Sequence, residues 1–210
     1  PLADLQARAD SGDHWAMWIL YRVYSDDVFA AAPPDFELPA EKRNLWDLGP
    51  AATAQRSHQV SNPDILRWAQ KGHDAGNILC TDELAAAYQD GLYGVQKDLP
   101  KAVALMDLAA SRGSYVSISC LARLSADGDV GFPKDPDRAA KLYAQARPLM
   151  EKKVAAGDTR AKYWLSHYYK DGLGGLPKDP AHALHLTTEA AEGGNAGAMS
   201  ALARIYLTGA

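Results

Sequence analysis

Three groups of side chains in this 210-residue chain are of types that could do chemistry. His182 and His185 stand three apart, so on a helix they would share a face and offer two nitrogen ligands to a metal ion. No third ligand accompanies them, and no metal site is assigned. Cys80 and Cys120 are the only two thiols, too few for a disulfide framework. Both are expected to be reduced, small and buried. The third group is basic and aromatic: Trp15, Trp18, Arg22, Arg123, Arg160, Tyr163, His167, Lys170 and Arg204, with the single acid Asp82 among them. Side chains of these types dominate protein interfaces. No nucleophile elbow or paired-carboxylate signature stands out, so neither catalytic residues nor a cofactor are assigned.

What must position these residues is a repeat. Gly76-Asn77, Gly113-Ser114, Gly157-Asp158 and Gly194-Asn195 each pair a glycine with a small polar residue, and Gly12-Asp13 begins a fifth copy. Four residues after the glycine comes a small side chain (Ala16, Cys80, Ser117, Ala161, Ala198), and eight after it always a leucine (Leu20, Leu84, Leu121, Leu165, Leu202). Twelve after it stands Tyr24, Tyr88, Ser125, Tyr169 or Tyr206. Steps of four drift slowly round a 3.6-residue helix, so they trace one buried stripe. This element is helix A.

Each full copy then turns through Gly91, Gly128 or Gly172, placed where a helix C-cap is wanted. The loops also hold Gly94, Gly131 and Gly175, and look like phosphate-cradling motifs. They recur with the period and lack a strand–glycine–helix context, so they read as turns. Lys97-Asp98, Lys134-Asp135 and Lys178-Asp179 follow, each Asp just ahead of Pro100, Pro136 or Pro180. An Asp that accepts from free N–H groups, with Pro in the first turn, starts a helix. This is helix B, with an apolar face over Ala102, Leu105 and Ala109 and their counterparts. Asn62-Pro63-Asp64 opens the helix B of the first copy, one residue shorter.

The predicted architecture is all-α: a right-handed α/α solenoid of about four and a half helix-turn-helix repeats, forming one domain. The copies run 12–75, 76–112, 113–156, 157–193 and a half copy 194–210. Copy three is seven residues longer than its neighbours, about two added turns of helix B around Pro148–Lys153. Copy one is interrupted at 28–61 by a proline-bearing insertion with a short helix expected over Ala40–Leu48. The insertion is either a binding element or a lid over the first copy.

Composition agrees with this and excludes alternatives. There are 38 alanines, the best helix former, and 17 glycines, which belong at punctuation points. The net charge of −4 does not invite nucleic acid. No apolar run is long enough to span a bilayer. The chain begins at Pro1 without an initiator Met or a signal peptide, a start that fits either a trimmed chain or a mature exported, periplasmic protein.

In such a solenoid the residues three, six, ten and thirteen after the opening glycine line the concave face. Reading these offsets collects Trp15, Trp18 and Arg22; Asp82; Arg123; Arg160, Tyr163, His167 and Lys170; and Arg204. Five basic positions face one acid in a chain that is acidic overall. Two readings stand: a groove for an acidic segment or protein patch, or an ordinary solvated helix face. Trp15 and Trp18 either close the end of the stack or touch a partner.

The succession of small residue, Leu-small, Tyr-x-x-Gly, Gly-x-x-Gly, Lys-Asp and Ala-x-x-Leu resembles the Sel-one-like repeat (SLR) family, relatives of tetratricopeptide repeats. The resemblance covers 76–210 well and 12–27 with 62–75 loosely. It departs from the pattern at Ser125, at the insertion and at the long third helix B. The resemblance implies a solenoid that binds other proteins and has no catalytic centre. Members similar to this chain include bacterial immunity proteins that neutralise secreted toxins, type VI phospholipase effectors among them, and adaptors in signalling or host interaction. The cysteine-stapled branch carries a regular Cys pair in each repeat, which this chain lacks.

Overall fold

A computed structural model describes residues 2–13, 16, 17, 20 and 63–208. The insertion at 28–61, its expected helix at 40–48, and Trp15, Trp18 and Arg22 lie outside them. Nine helices follow one another among the described residues, and no strand does: α1 (Leu2–Asp10), α2 (Pro63–Asp74), α3 (Ile78–Asp90), α4 (Leu99–Ser111), α5 (Tyr115–Asp127), α6 (Pro136–Ala155), α7 (Thr159–Asp171), α8 (Pro180–Glu192) and α9 (Ala196–Thr208). The fold is an all-α helical repeat solenoid, with α3, α5, α7 and α9 as helices A and α2, α4, α6 and α8 as helices B. The described residues group into two compact units, one up to Ser117 and one from Ile118.

A two-residue junction builds both flanking helix ends. Each opening glycine sits in the left-handed region, with φ of +84° at Gly76, +87° at Gly113, +85° at Gly157 and +88° at Gly194. There it ends the preceding helix B: the next residue's N–H reaches back to the carbonyl five residues earlier, as in Asn77 to Gly72 at 2.8 Å and Asn195 to Ala190 at 2.9 Å. The side chain of that same residue then caps the coming helix A. Asn77 Oδ1 accepts from Cys80 N at 3.2 Å, Asp158 Oδ1 from Ala161 N at 3.0 Å and Asn195 Oδ1 from Ala198 N at 2.9 Å.

The loop from A to B repeats as strictly. Gly91 and Gly172 cap α3 and α7 in the left-handed conformation. Asp98, Asp135 and Asp179 each accept from the N–H three residues on. Their own N–H groups donate to the carbonyls of Tyr88, Ser125 and Tyr169 at 2.7–2.8 Å. The twelfth position is therefore tied through its backbone, which is why Ser125 can stand where the other copies have tyrosine. The side-chain contact is replaced as well. Lys101 lies over the Tyr88 ring at 3.8 Å and Tyr169 meets His182 edge-on at 4.3 Å, whereas Arg138 turns to Phe132 of its own loop at 5.3 Å.

The expected extra turns of the third helix B are present, since α6 has 20 residues where α4 and α8 have 13, and Pro148 lies inside it. The helix expected from Pro63 is α2, with 12 residues. One helix has no counterpart in the sequence-based expectation. Residues 2–10 form α1, ended by Gly12 (φ +100°) with Asp13 N donating to Arg8 O. It is a helix B in front of the first helix A, held to α2 by the Asp10–Lys71 ion pair at 2.7 Å.

In both units the core is the predicted stripe. Ala16, Leu20, Cys80, Leu84 and Ala85 are buried in the first, and Leu121, Ala122, Ala161 and Leu165 in the second, with alanines of the facing helices B. Small residues let the helices approach closely. A Cβ at Gly72 of α2 would run into the Cys80 side chain, 2.8 Å from its Cβ.

Candidate functional site

The four offsets expected on one face part company once the helices pack. In α3, Asp82 and Gln89 turn inward and are buried. Asp82 is 5% exposed, and its carboxylate accepts from Ser114 Oγ at 2.7 and 2.9 Å and from Ser117 Oγ at 2.5 Å. The placement differs from the groove position that the offset assigns. Six residues after Gly76 the α3 surface lies against the start of α5, so this carboxylate ties two helices together. In α5, Ser119 is buried as well, and its hydroxyl pairs with the Tyr168 hydroxyl at 2.7 Å. Burial raises the Tyr168 phenol well above its ordinary value of 10.0.

In the second unit the remaining residues do reach solvent. Arg123, Lys170 and Arg204 are exposed, and Arg160, Tyr163 and His167 are half-buried. Tyr163 and His167 meet edge to face, 4.8 Å between centroids. The Tyr163 ring packs on α9, beside Ala198 and Leu202, where Gly197 leaves room for it: a Cβ there would lie 2.9 Å from Tyr163 Cε1. A glycine at this point thus lets α7 and α9 close on an aromatic ring. Burial lowers the His167 imidazole below its ordinary 6.5, and the charges of Lys170 and Arg204 push the same way against Asp171. Cations of two separate helices thereby act electrostatically on one imidazole.

Arg123 stands in a more mixed setting. It and Asp127 act with opposite sign on Tyr143, whose phenol is raised chiefly by burial. Tyr143 in turn meets Tyr168 edge-on at 5.4 Å. The arrangement offers cationic and aromatic groups on an exposed helical face, suited to carboxylates and apolar side chains of a macromolecule. Among the described residues no group of His, Cys, Asp or Glu is placed to hold a metal ion. His182 and His185 are 6.2 Å apart, and His182 faces Tyr169. Cys80 is a buried thiol, raised by burial and by the nearby Glu83 and Asp82, while Cys120 is only half-buried, against the expectation that both are buried. No helix among the described residues is long and apolar enough to cross a membrane.

Fold and loops together define the class, an α/α repeat solenoid with a glycine-rich A–B loop. The Sel1 repeat family model matches residues 82–114, 120–147 and 159–195. Proteins built from this repeat generally act as protein-interaction modules. Among solved structures the chain is similar to a Sel1 repeat protein from Oxalobacter formigenes, at 20% identity and a TM-score of 0.55, covering 90% of this chain and 61% of that one. It is also similar to c5321, a protective antigen of uropathogenic Escherichia coli displaying an SLR fold (21% identity, TM-score 0.40, 98% of this chain and 51% of that one). A third is a Sel1 repeat protein from Klebsiella pneumoniae (19% identity, TM-score 0.40, 98% and 99%). The chain thus spans about six-tenths of the Oxalobacter structure and half of the Escherichia one. At these identities the likeness speaks for the fold, and it is the Oxalobacter structure that carries it. No curated protein matches the chain.

Proposed function

We propose that this chain is a non-enzymatic protein-binding scaffold that receives an acidic segment or surface patch on the helix A face. Arg123, Arg160, Tyr163, His167, Lys170 and Arg204 supply the contacts. The observation that carries the reading is the exposure of Arg123, Lys170 and Arg204 on α5, α7 and α9, in a chain whose net charge is −4. Positive charge gathered against the overall balance speeds encounter with an acidic partner and selects against basic ones. Trp15, Trp18 and Arg22 stand at the same offsets in the first copy of the sequence and are proposed as partner contacts of that copy.

The finer form of the proposal comes from the sequence resemblance. The chain acts as a bacterial immunity protein, one that occupies a secreted type VI effector such as a phospholipase, and the 28–61 insertion makes it specific. The experiment pairs the chain with the effector encoded beside its gene. Co-expression should rescue growth, and the purified proteins should co-elute. Replacing Arg123 and Arg160 with Glu should abolish both rescue and co-elution. Rescue that survives the double charge reversal would contradict the basic face, and absence of any rescue would contradict the immunity role.

A further inference from the structure

Successive helices A are tied to one another through the residue six after the opening glycine. Asp82 of α3 accepts from Ser114 and Ser117 at the start of α5, and Ser119 of α5 pairs with the Tyr168 hydroxyl of α7. The Tyr163 ring of α7 packs beside Ala198 and Leu202 of α9. This third tie has a matching gap three residues after the next glycine, where α5 and α7 carry Val116 and Arg160 but α9 carries Gly197. Glycine is a poor helix former, yet here a side chain would collide: a Cβ would lie 2.9 Å from Tyr163 Cε1 and 3.4 Å from Cδ1. The ring has no room to retreat inward, because Ala190 and Ala191 of α8 and Ala198 of α9 back it. His167 lies one turn further along α7, and its ring meets Tyr163 edge to face at 4.8 Å.

We infer that Gly197 is a positioning residue of this face: the notch left by its missing side chain seats the Tyr163 ring against α9, and the seated ring holds the His167 imidazole half out of water. This role rests on the binding-face reading above, to which Tyr163 and His167 belong. A side chain at 197 turns the ring towards solvent and uncovers the imidazole beside it. Uncovering favours the charged imidazolium, because burial is what chiefly opposes it. The charges that face the imidazole are Lys170 and Asp171 of its own helix and Arg204 of α9. With the ring seated, His167 therefore stays neutral further into the acidic range, and Gly197 sets the pH at which the face gains one more cation.

NMR on the intact chain, with no partner present, tests this. A nuclear Overhauser contact should join the Gly197 Hα protons to the Tyr163 ring protons, and its absence would overturn the seat. Gly197→Val introduces the side chain that α5 carries at this position. His167 should then titrate higher, closer to its ordinary 6.5, by roughly half a pH unit, a fraction of what full burial produces. Gly197→Ala, the milder change, should move it the same way by less. Tyr163→Ala should raise it as well, and adding Gly197→Val to Tyr163→Ala should raise it no further, since the two act through one contact. A titration that fails to rise in the Gly197 variants or in Tyr163→Ala, or that rises further in the double variant, would overturn the positioning role. Because no partner enters the measurement, that failure would leave the basic face standing, and a charge reversal without effect on partner binding would leave the seat standing.

Discussion

Asp82 and His167 share a pattern position class in the sequence, yet packing gives them opposite parts. Asp82 goes inward because the next copy presents Ser114 and Ser117, two hydroxyl donors, where other copies have an Asn or Asp cap and an alanine or cysteine. That exchange was the available sign that α3 must supply an acceptor, and it lies 32 and 35 residues away from Asp82. Asp82→Ala strands both hydroxyls in the core and should cost roughly 1–3 kcal/mol in denaturant unfolding; an unchanged midpoint would show that the carboxylate holds nothing. His167 stays near the surface but is neutral at neutral pH. Its unfolded form titrates near 6.5 and its folded form lower, so the unfolded chain takes up this proton first as pH falls. Stability should therefore be flat with respect to this group above 6.5, drop between the two values, and level off below them. Comparing thermal melts of the wild type and His167→Gln across that window isolates the contribution.

Helices were the most legible feature because each one is written twice, once in its apolar stripe and once in its ends. The glycine–polar junction and the Lys-Asp start recur at fixed distances, and these two points close through the same backbone hydrogen bonds in each complete copy. The helix that escaped, α1, has the junction at Gly12-Asp13 but, among its described side chains, only Leu5 and Ala9 as a buried face, too short a stripe to recognise without its neighbours. The added turns of α6 were visible as a seven-residue excess, and they carry a cost. Pro148 cannot donate to the carbonyl four residues earlier, and its ring crowds that carbonyl. Since Pro148 is exposed, Pro148→Ala should stabilise the chain by roughly 1–3 kcal/mol. A loss of stability, read by the same unfolding assay, would mean that a bend at this point is needed for packing.

At the scale of the molecule, periodicity discloses the class of fold but not which face of a helix A stays open. That depends on what its neighbours bring: Ser119 is taken up by Tyr168, Asp82 by two serines, and Tyr163 by the gap at Gly197. The basic bias could be counted in the sequence; that among the described residues Arg123, Lys170 and Arg204 stay exposed on α5, α7 and α9 could not. The account stands or falls on whether that face takes the partner. The direct measurement is a calorimetric titration of the purified partner into the wild type and into the double variant Arg123→Glu/Arg204→Glu, at low salt and again near 1 M, where the screening length is about 3 Å. The account predicts that charge reversal weakens binding by at least about tenfold at low salt, and that high salt narrows the gap between the two proteins. Equal affinities for wild type and variant at low salt would contradict it.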